Sequence, residues 1–320
     1  MLRLAGDAFR KRSEKVAKKH AKKVSRLQTR RTRVKSATKP AIGRSKKIAV
    51  RASASGGRKV VSRREASSVR PTIDFAKIPA GAFTTGSPKK EFGRSSNEDQ
   101  VKVRITNPFA ISLTVVTQAQ WVAVMGTKPW GDGRIDAEQC GDKFPAVYVS
   151  WADAVLFCEK LTKLERAAGR LALSQTCRLP TEAEWEYACR AGTTTAYSFG
   201  DDPEKLKDYG WYDENSGDKQ HPVAGKKPNP WGLFDVHGNV WEWCLDWYAD
   251  KLTSGDDPKG PRRGTYRVAR GGMWSLVSTV CRSAVRIGFV SDYCYCGFRV
   301  VCVDGGSRAK RLNEKSRPAV

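Results

Sequence analysis

The chain has 320 residues, 40% of them hydrophobic, which is enough for one large domain with a substantial core. Its formal net charge of +25 is uneven: residues 1–70 hold 24 Lys and Arg against 3 Asp and Glu, which is +21. No apolar run is long enough to span a bilayer, and Met1–Phe9 is too short and mixed for a secretory segment, so the sequence reads as cytoplasmic.

Nine Cys, only three His and no Cys-x-x-Cys pair argue against a disulfide framework and against a Cys/His zinc site. The thiols read as small buried side chains. Cys294-Tyr-Cys296 is spaced to hold a soft metal, but that spacing alone is a weak signal.

Residues 1–72 form a basic tail. Lys11–Val24 has helix-forming residues, yet Val16 and Val24 make too thin a stripe to bury a face. From Thr32 onward Ser, Thr, Gly and Pro interrupt the Lys/Arg runs, and low hydrophobicity with high charge predicts disorder. Such a segment attracts nucleic acid or another polyanion by counterion release. Without interleaved aromatics to stack on bases, it equally suits a solubilising extension.

Residues 73–304 form the domain, followed by a short tail over 305–320. Phe75–Ser87 and Val101–Leu113 alternate like strands. Thr117 caps a helix that stops at Gly126. Ser150 caps a second, with Asp153 in the capping-box position. Thr181 caps a third, with Pro180 before it, acids in its first turn and Gly192 after it. Short segments rich in Gly, Pro and Trp follow. The domain is therefore α+β, with short helices on small antiparallel sheets. Trp231, Trp241, Trp243 and Trp247 read as core fillers rather than a ligand platform.

Several motifs carry a family resemblance: Ile78-Pro-Ala-Gly-Ala-Phe, Val116-Thr-Gln-Ala-Gln-Trp, Pro145-Ala-Val-Tyr-Val-Ser-Trp, Arg178-Leu-Pro-Thr-Glu-Ala-Glu-Trp, Asn229-Pro-Trp-Gly to Trp241-Glu-Trp, Arg270-Gly-Gly, Cys281-Arg-Ser-Ala-Val-Arg and Gly297-Phe-Arg-Val-Val. In this order, over about residues 74–303, they resemble the formylglycine-generating-enzyme (sulfatase-modifying-factor) family. The resemblance implies an irregular C-type-lectin-like fold. The N- and C-terminal parts of the domain would pair, and the ligand surface would lie near the C-terminal segment.

The resemblance also implies a calcium site, with carboxylates from Asp235 and Glu242 and carbonyls from Gly238 and Val240. Hard oxygen donors on a tight turn suit Ca²⁺. The alternative is a hydrogen-bonded loop in which Asn239 and Glu242 cap backbone groups. The family's enzymes hold copper(I) on two Cys just after the Arg-Gly-Gly motif. Here Met273–Val280 contains no thiol, so copper is not supported. Iron is not supported either, since no additional helical domain or His cluster is present.

Other proteins with this fold are variable receptors of diversity-generating retroelements. Adenine-directed rewriting of AAC or AAT codons never yields Lys, Glu, Gln, Met or Trp. Ser275, Leu276, Val277, Ser278, Thr279, Val280, Val285, Ile287, Gly288, Phe289, Val290, Ser291, Tyr293, Cys294, Tyr295 and Cys296 include none of those types. With Trp274 they form the predicted ligand surface, Gly288 and Ser291 excepted.

Three readings follow. The first is a non-catalytic protein that binds a protein or other macromolecule through residues 275–296. The second is an oxidoreductase with a different metal site. The third is a polyanion-associated structural protein acting through its tail.

Overall fold

The computed structural model describes residues 72–131, 133–291 and 295–305. The basic tail, apart from Thr72, lies outside the described residues, as do the tail beyond Gly305 and the contact residues Tyr293 and Cys294.

The strands are short and local chemistry sets where they begin and end. Phe75–Ser87 divides at Pro79-Ala80 into β1 (Phe75–Ile78) and β2 (Gly81–Thr85), because Pro79 has no N–H for a ladder. Val101–Leu113 divides into β3 (Val101–Ile105) and β4 (Phe109–Ser112). The three anticipated helices form where their caps place them. α1 (Gln118–Met125) has a complete capping box between Thr117 and Gln120 and ends on Gly126 at φ 71°. α2 (Trp151–Ala167) is capped by Ser150, whose hydroxyl accepts from the Asp153 N–H. α3 (Glu182–Arg190) has a capping box between Thr181 and Glu184. A single turn, α4 (Leu206–Tyr209), follows. The remaining strands are β5 (Gln175–Arg178), β6 (Trp241–Trp247), β7 (Gly255–Asp256), β8 (Arg267–Arg270), β9 (Arg286–Phe289), β10 (Cys296–Gly297) and β11 (Val301–Asp304).

They build three small sheets, ordered β1-β4-β11-β5, β10-β6-β8-β9 and β2-β3-β7. Most pairings are antiparallel; β10 on β6 and β7 on β3 are parallel. β4 pairs with β11, so the beginning and end of the domain share one sheet, as the resemblance implies.

Every residue of α3 is buried, although three are Glu and one is Arg. Buried charges persist only when paired. Glu182 is met by Arg270 and Arg286, and Glu186 by Arg190 and Arg270. Arg178 grips Glu184 with two donors. α3 thus serves as a charged spine to which the C-terminal strands attach.

Trp121, Trp185, Trp241 and Trp243 fill the core, whereas Trp231 and Trp247 are half-buried. Trp241 and Trp243 are fully buried, and the Trp243 indole N–H donates to the Val149 carbonyl at 3.0 Å. Trp231 packs edge-on against Tyr187. Trp247 and Trp151 sandwich the Arg267 guanidinium, each ring centroid 3.4 Å away.

Candidate functional site

The segment that follows β8 is irregular, and hydrogen bonds hold it. Gly271 and Gly272 take φ 96° and 78°. A side chain at Gly272 would meet the Cys281 sulfur, so only glycine allows this close turn. The Gly238 N–H donates to the Gly271 carbonyl, and the Trp274 N–H to the Asn239 carbonyl. Residues 235–242 therefore buttress the start of the segment. His237 pins its far side: Nδ1 donates to the Cys281 carbonyl, and Nε2 accepts from the Ser198 N–H. Burial holds the His237 pKa down to about 4, so the ring is neutral and this tautomer is fixed. A short 3₁₀ turn covers Ser278–Cys281. Arg282 then reaches Glu91, Glu98 and the Gly93 carbonyl.

The structure divides the predicted contact residues into anchors and outward positions. Leu276, Tyr295 and Cys296 are buried, and Ser275 nearly so. Phe289 points its ring edge-to-face with Trp241 and Trp243. Val285 and Ile287 are half-buried. Trp274, Ser278, Thr279 and Val280 are partly exposed, and Val277 and Val290 are 44% and 48% exposed. Residues 275–296 are therefore not one continuous surface. Among the described residues, the outward positions are Val277–Val280, Val290 and Ser291, with Trp274 just before them.

Two further residues join this face. Tyr148 lies 5.6 Å, centroid to centroid, from Tyr295, which in turn meets Trp274 edge-on at 6.1 Å. Its hydroxyl donates to the Arg134 carbonyl at 3.0 Å. Tyr148 has φ 59°, a left-handed conformation that is costly for an aromatic residue and is often found at ligand sites. Phe92 is 81% exposed beside Gly93, which packs against Thr279. In the sequence Tyr148 sits inside a motif and Phe92 in a charged loop, so no local pattern marks either.

In the 235–242 loop, one Asp235 oxygen accepts from the Ala224 N–H at 2.8 Å. The other is buried without a hydrogen-bond partner. Burial pushes this carboxyl up to about 6. Glu242 does not cap backbone groups; it receives Arg299 and the Trp185 indole N–H. Asn239 does act as a cap, bridging the His221 N–H and carbonyl. An orphaned, buried carboxylate oxygen on a tight turn fits a hard cation. Among the described residues no group of three or more His, Cys, Asp or Glu is gathered as a metal cluster.

Residues 60–303 match the family described as the sulfatase-modifying factor enzyme 1-like domain. The chain belongs to that family. A formylglycine-generating enzyme from Streptomyces coelicolor is 30% identical over 276 residues, covering 66% of this chain and 82% of that protein. The serine/threonine-protein kinase pkn1 of Chlamydia pneumoniae is 35% identical over 160 residues; the match covers 48% of this chain, which spans only 23% of the kinase. Among solved structures, Treponema denticola variable protein 1 superposes with a TM-score of 0.62 at 32% identity, covering 71% of this chain and 94% of that one.

Within this sulfatase-modifying-factor-like domain, the first thiol after Arg270-Gly-Gly is Cys281. It is fully buried, and burial pushes its pKa up to about 12. A thiol held protonated in a dry site is neither a ready nucleophile nor a ready soft-metal ligand. Cys296, the described member of the Cys-x-Cys pair, is likewise buried.

Proposed function

We propose that this chain is a non-catalytic ligand-binding protein. Its domain presents Trp274, Val277–Val280 and Val290, together with Tyr148, to a protein or other macromolecule. One observation carries the reading: Met273–Val280 offers no thiol where copper-binding relatives are expected to place theirs. The likeness to Treponema denticola variable protein 1 supports it. Tyr and Trp supply broad contact area at low entropic cost, which suits a paratope on a rigid scaffold. The absence of the five forbidden residue types from the candidate variable positions is compatible with retroelement rewriting. Asp235, with the Gly238 and Val240 carbonyls, would hold Ca²⁺ and stiffen the loop beneath Trp274; Glu242, expected as a second carboxylate ligand, is instead committed to Arg299 and Trp185. Residues 1–70 would tether the domain to nucleic acid or another polyanion.

The test is direct. Purified protein is incubated with copper(I), oxygen and a Cys-x-Pro-x-Arg peptide, and the peptide mass is followed. We expect no change. Formylglycine in the peptide would overturn the non-catalytic reading.

A further inference from the structure

Two cysteines with no part in ligand binding face each other across a strand pair. Cys177 on β5 and Cys302 on β11 are register partners in an antiparallel ladder. The backbone decides which kind of pair this is. The Cys177 N–H donates to the Thr162 hydroxyl of α2 at 2.9 Å, and the Cys177 carbonyl faces the same hydroxyl at 3.4 Å. β5 is the end strand of its sheet, so both backbone groups of Cys177 turn away from β11. The pair is therefore the non-hydrogen-bonded kind, in which facing Cα atoms approach to about 4.5 Å. That spacing lies within the range a disulfide bridges, and the two side chains share one face of the sheet.

The two sulfurs differ in access. Cys177 is buried, whereas Cys302 is half-buried and reachable from solvent. Their thiols also touch: the hydrogen bond from Cys302 holds the Cys177 pKa down, and the same contact pushes the Cys302 pKa up. Cys177 is thus the sulfur that ionises first, ready to resolve a bond formed on its neighbour. Cys158 of α2 is fully buried, and burial pushes its thiol far up.

We propose that Cys177 and Cys302 form a thiol–disulfide couple that closes on reaction with a low-molecular-weight disulfide and reopens with a thiol reductant. Cys177, which ionises first, takes the proton of the Cys302 thiol along their shared hydrogen bond, so the more accessible Cys302 sulfur attacks one sulfur of the small disulfide as the thiolate and expels the first small thiol. Cys177 then attacks the Cys302 sulfur of this mixed disulfide, forms the cross-strand S–S bond and expels the second. Both protein protons leave on the two released thiols, so the cysteine pair is oxidised and the small disulfide is reduced. The new bond fastens β11 to β5. It closes a covalent loop containing α3, residues 235–242 and the whole contact segment, so the ligand surface becomes harder to unfold without being chemically altered.

The test uses the full chain treated with oxidised glutathione, quenched with an alkylating agent and digested without reductant. A Cys177–Cys302 linked peptide is expected. It should accompany a rise in Tm of about 5–10 °C, the scale for a long-range cross-link in a domain of this size. Dithiothreitol should reverse both, and Cys302→Ser, at a half-buried position, should abolish both. Cys140→Ser, at an exposed thiol, should leave the linkage intact. Three outcomes would overturn the couple: glutathione retained on Cys302, Cys177 linked instead to Cys158, or both thiols still fully alkylated after oxidation.

Discussion

Arg299 grips Glu242 with two donors, Nε to one carboxylate oxygen at 2.6 Å and Nη2 to the other at 2.7 Å, and neither side chain is exposed. The same guanidinium also donates to the Ser112 and Phe234 carbonyls. This pair joins the Gly-Phe-Arg motif to the Trp-Glu-Trp motif. Removing one partner strands a buried charge, which costs about 3–5 kcal/mol. Glu242→Ala and Arg299→Ala should each lose stability on that scale in urea denaturation. The double variant should lose far less than the two added together. Additive losses would mean that the pair is not coupled.

Asp246 gives a pH dependence with a definite sign. Its oxygens accept from the Glu182 and Gly260 N–H groups. Burial pushes its carboxyl up to about 6; the Glu182 charge adds to the rise, and the two hydrogen bonds oppose it. In the unfolded chain the value is about 3.9. The folded state therefore holds this proton more tightly. The group favours folding near pH 4, and that contribution fades as the pH rises through about 6. Asp246→Asn cannot titrate. The stability gap between wild type and variant should be widest near pH 4 and about 2–3 kcal/mol narrower at pH 7. A gap independent of pH would refute the assignment.

Calcium should act through Asp235. With Ca²⁺ well above its Kd, the wild type should gain roughly 2–3 kcal/mol relative to protein in EDTA, seen as a higher Tm. Asp235→Asn keeps an acceptor for the Ala224 N–H but loses the carboxylate, so most of that shift should vanish. If Tm in the wild type does not respond to Ca²⁺, the 235–242 loop holds no calcium.

Gly210 and Gly126 separate packing from backbone strain. Gly210 has an extended φ of −151°, yet a methyl group there would run into the His237 carbonyl oxygen. Gly126 has φ 71° but open space around it. Gly210→Ala should cost about 3 kcal/mol or more, by displacing the 235–242 loop. Gly126→Ala should cost about 1–2 kcal/mol from the dihedral alone. Denaturation midpoints in the reverse order would contradict this account.

Much of this architecture was legible because it is encoded locally. Thr117, Ser150 and Thr181 announce three helices through their caps, and those helices begin where the caps sit. The ordered motifs identify the family. What local pattern cannot carry is pairing at a distance. Glu182 and Arg270, or Glu98 and Arg282, lie far apart in the chain and meet only after folding. Burial within the contact segment was hidden for a related reason. Residues 273–285 follow neither a strand nor a helix period, so nothing in the sequence separates the anchor Leu276 from the outward Val277. Tyr148 was missed because its importance lies in an unusual φ and in a neighbour 147 residues away, Tyr295.

Arg270, Arg282, Arg286 and Arg299 are each moored to a different set of acids. The last quarter of the domain is thus located by four mounting posts more than by long helices or strands. For protein engineering, the stretch between the posts at 270 and 282 is an exchangeable cassette. An insert must span two fixed ends, keep the glycines at 271 and 272, and keep apolar plugs where Met273, Leu276 and Cys281 now sit. Beyond that, its outward letters can be rewritten while the frame that carries them stays the same.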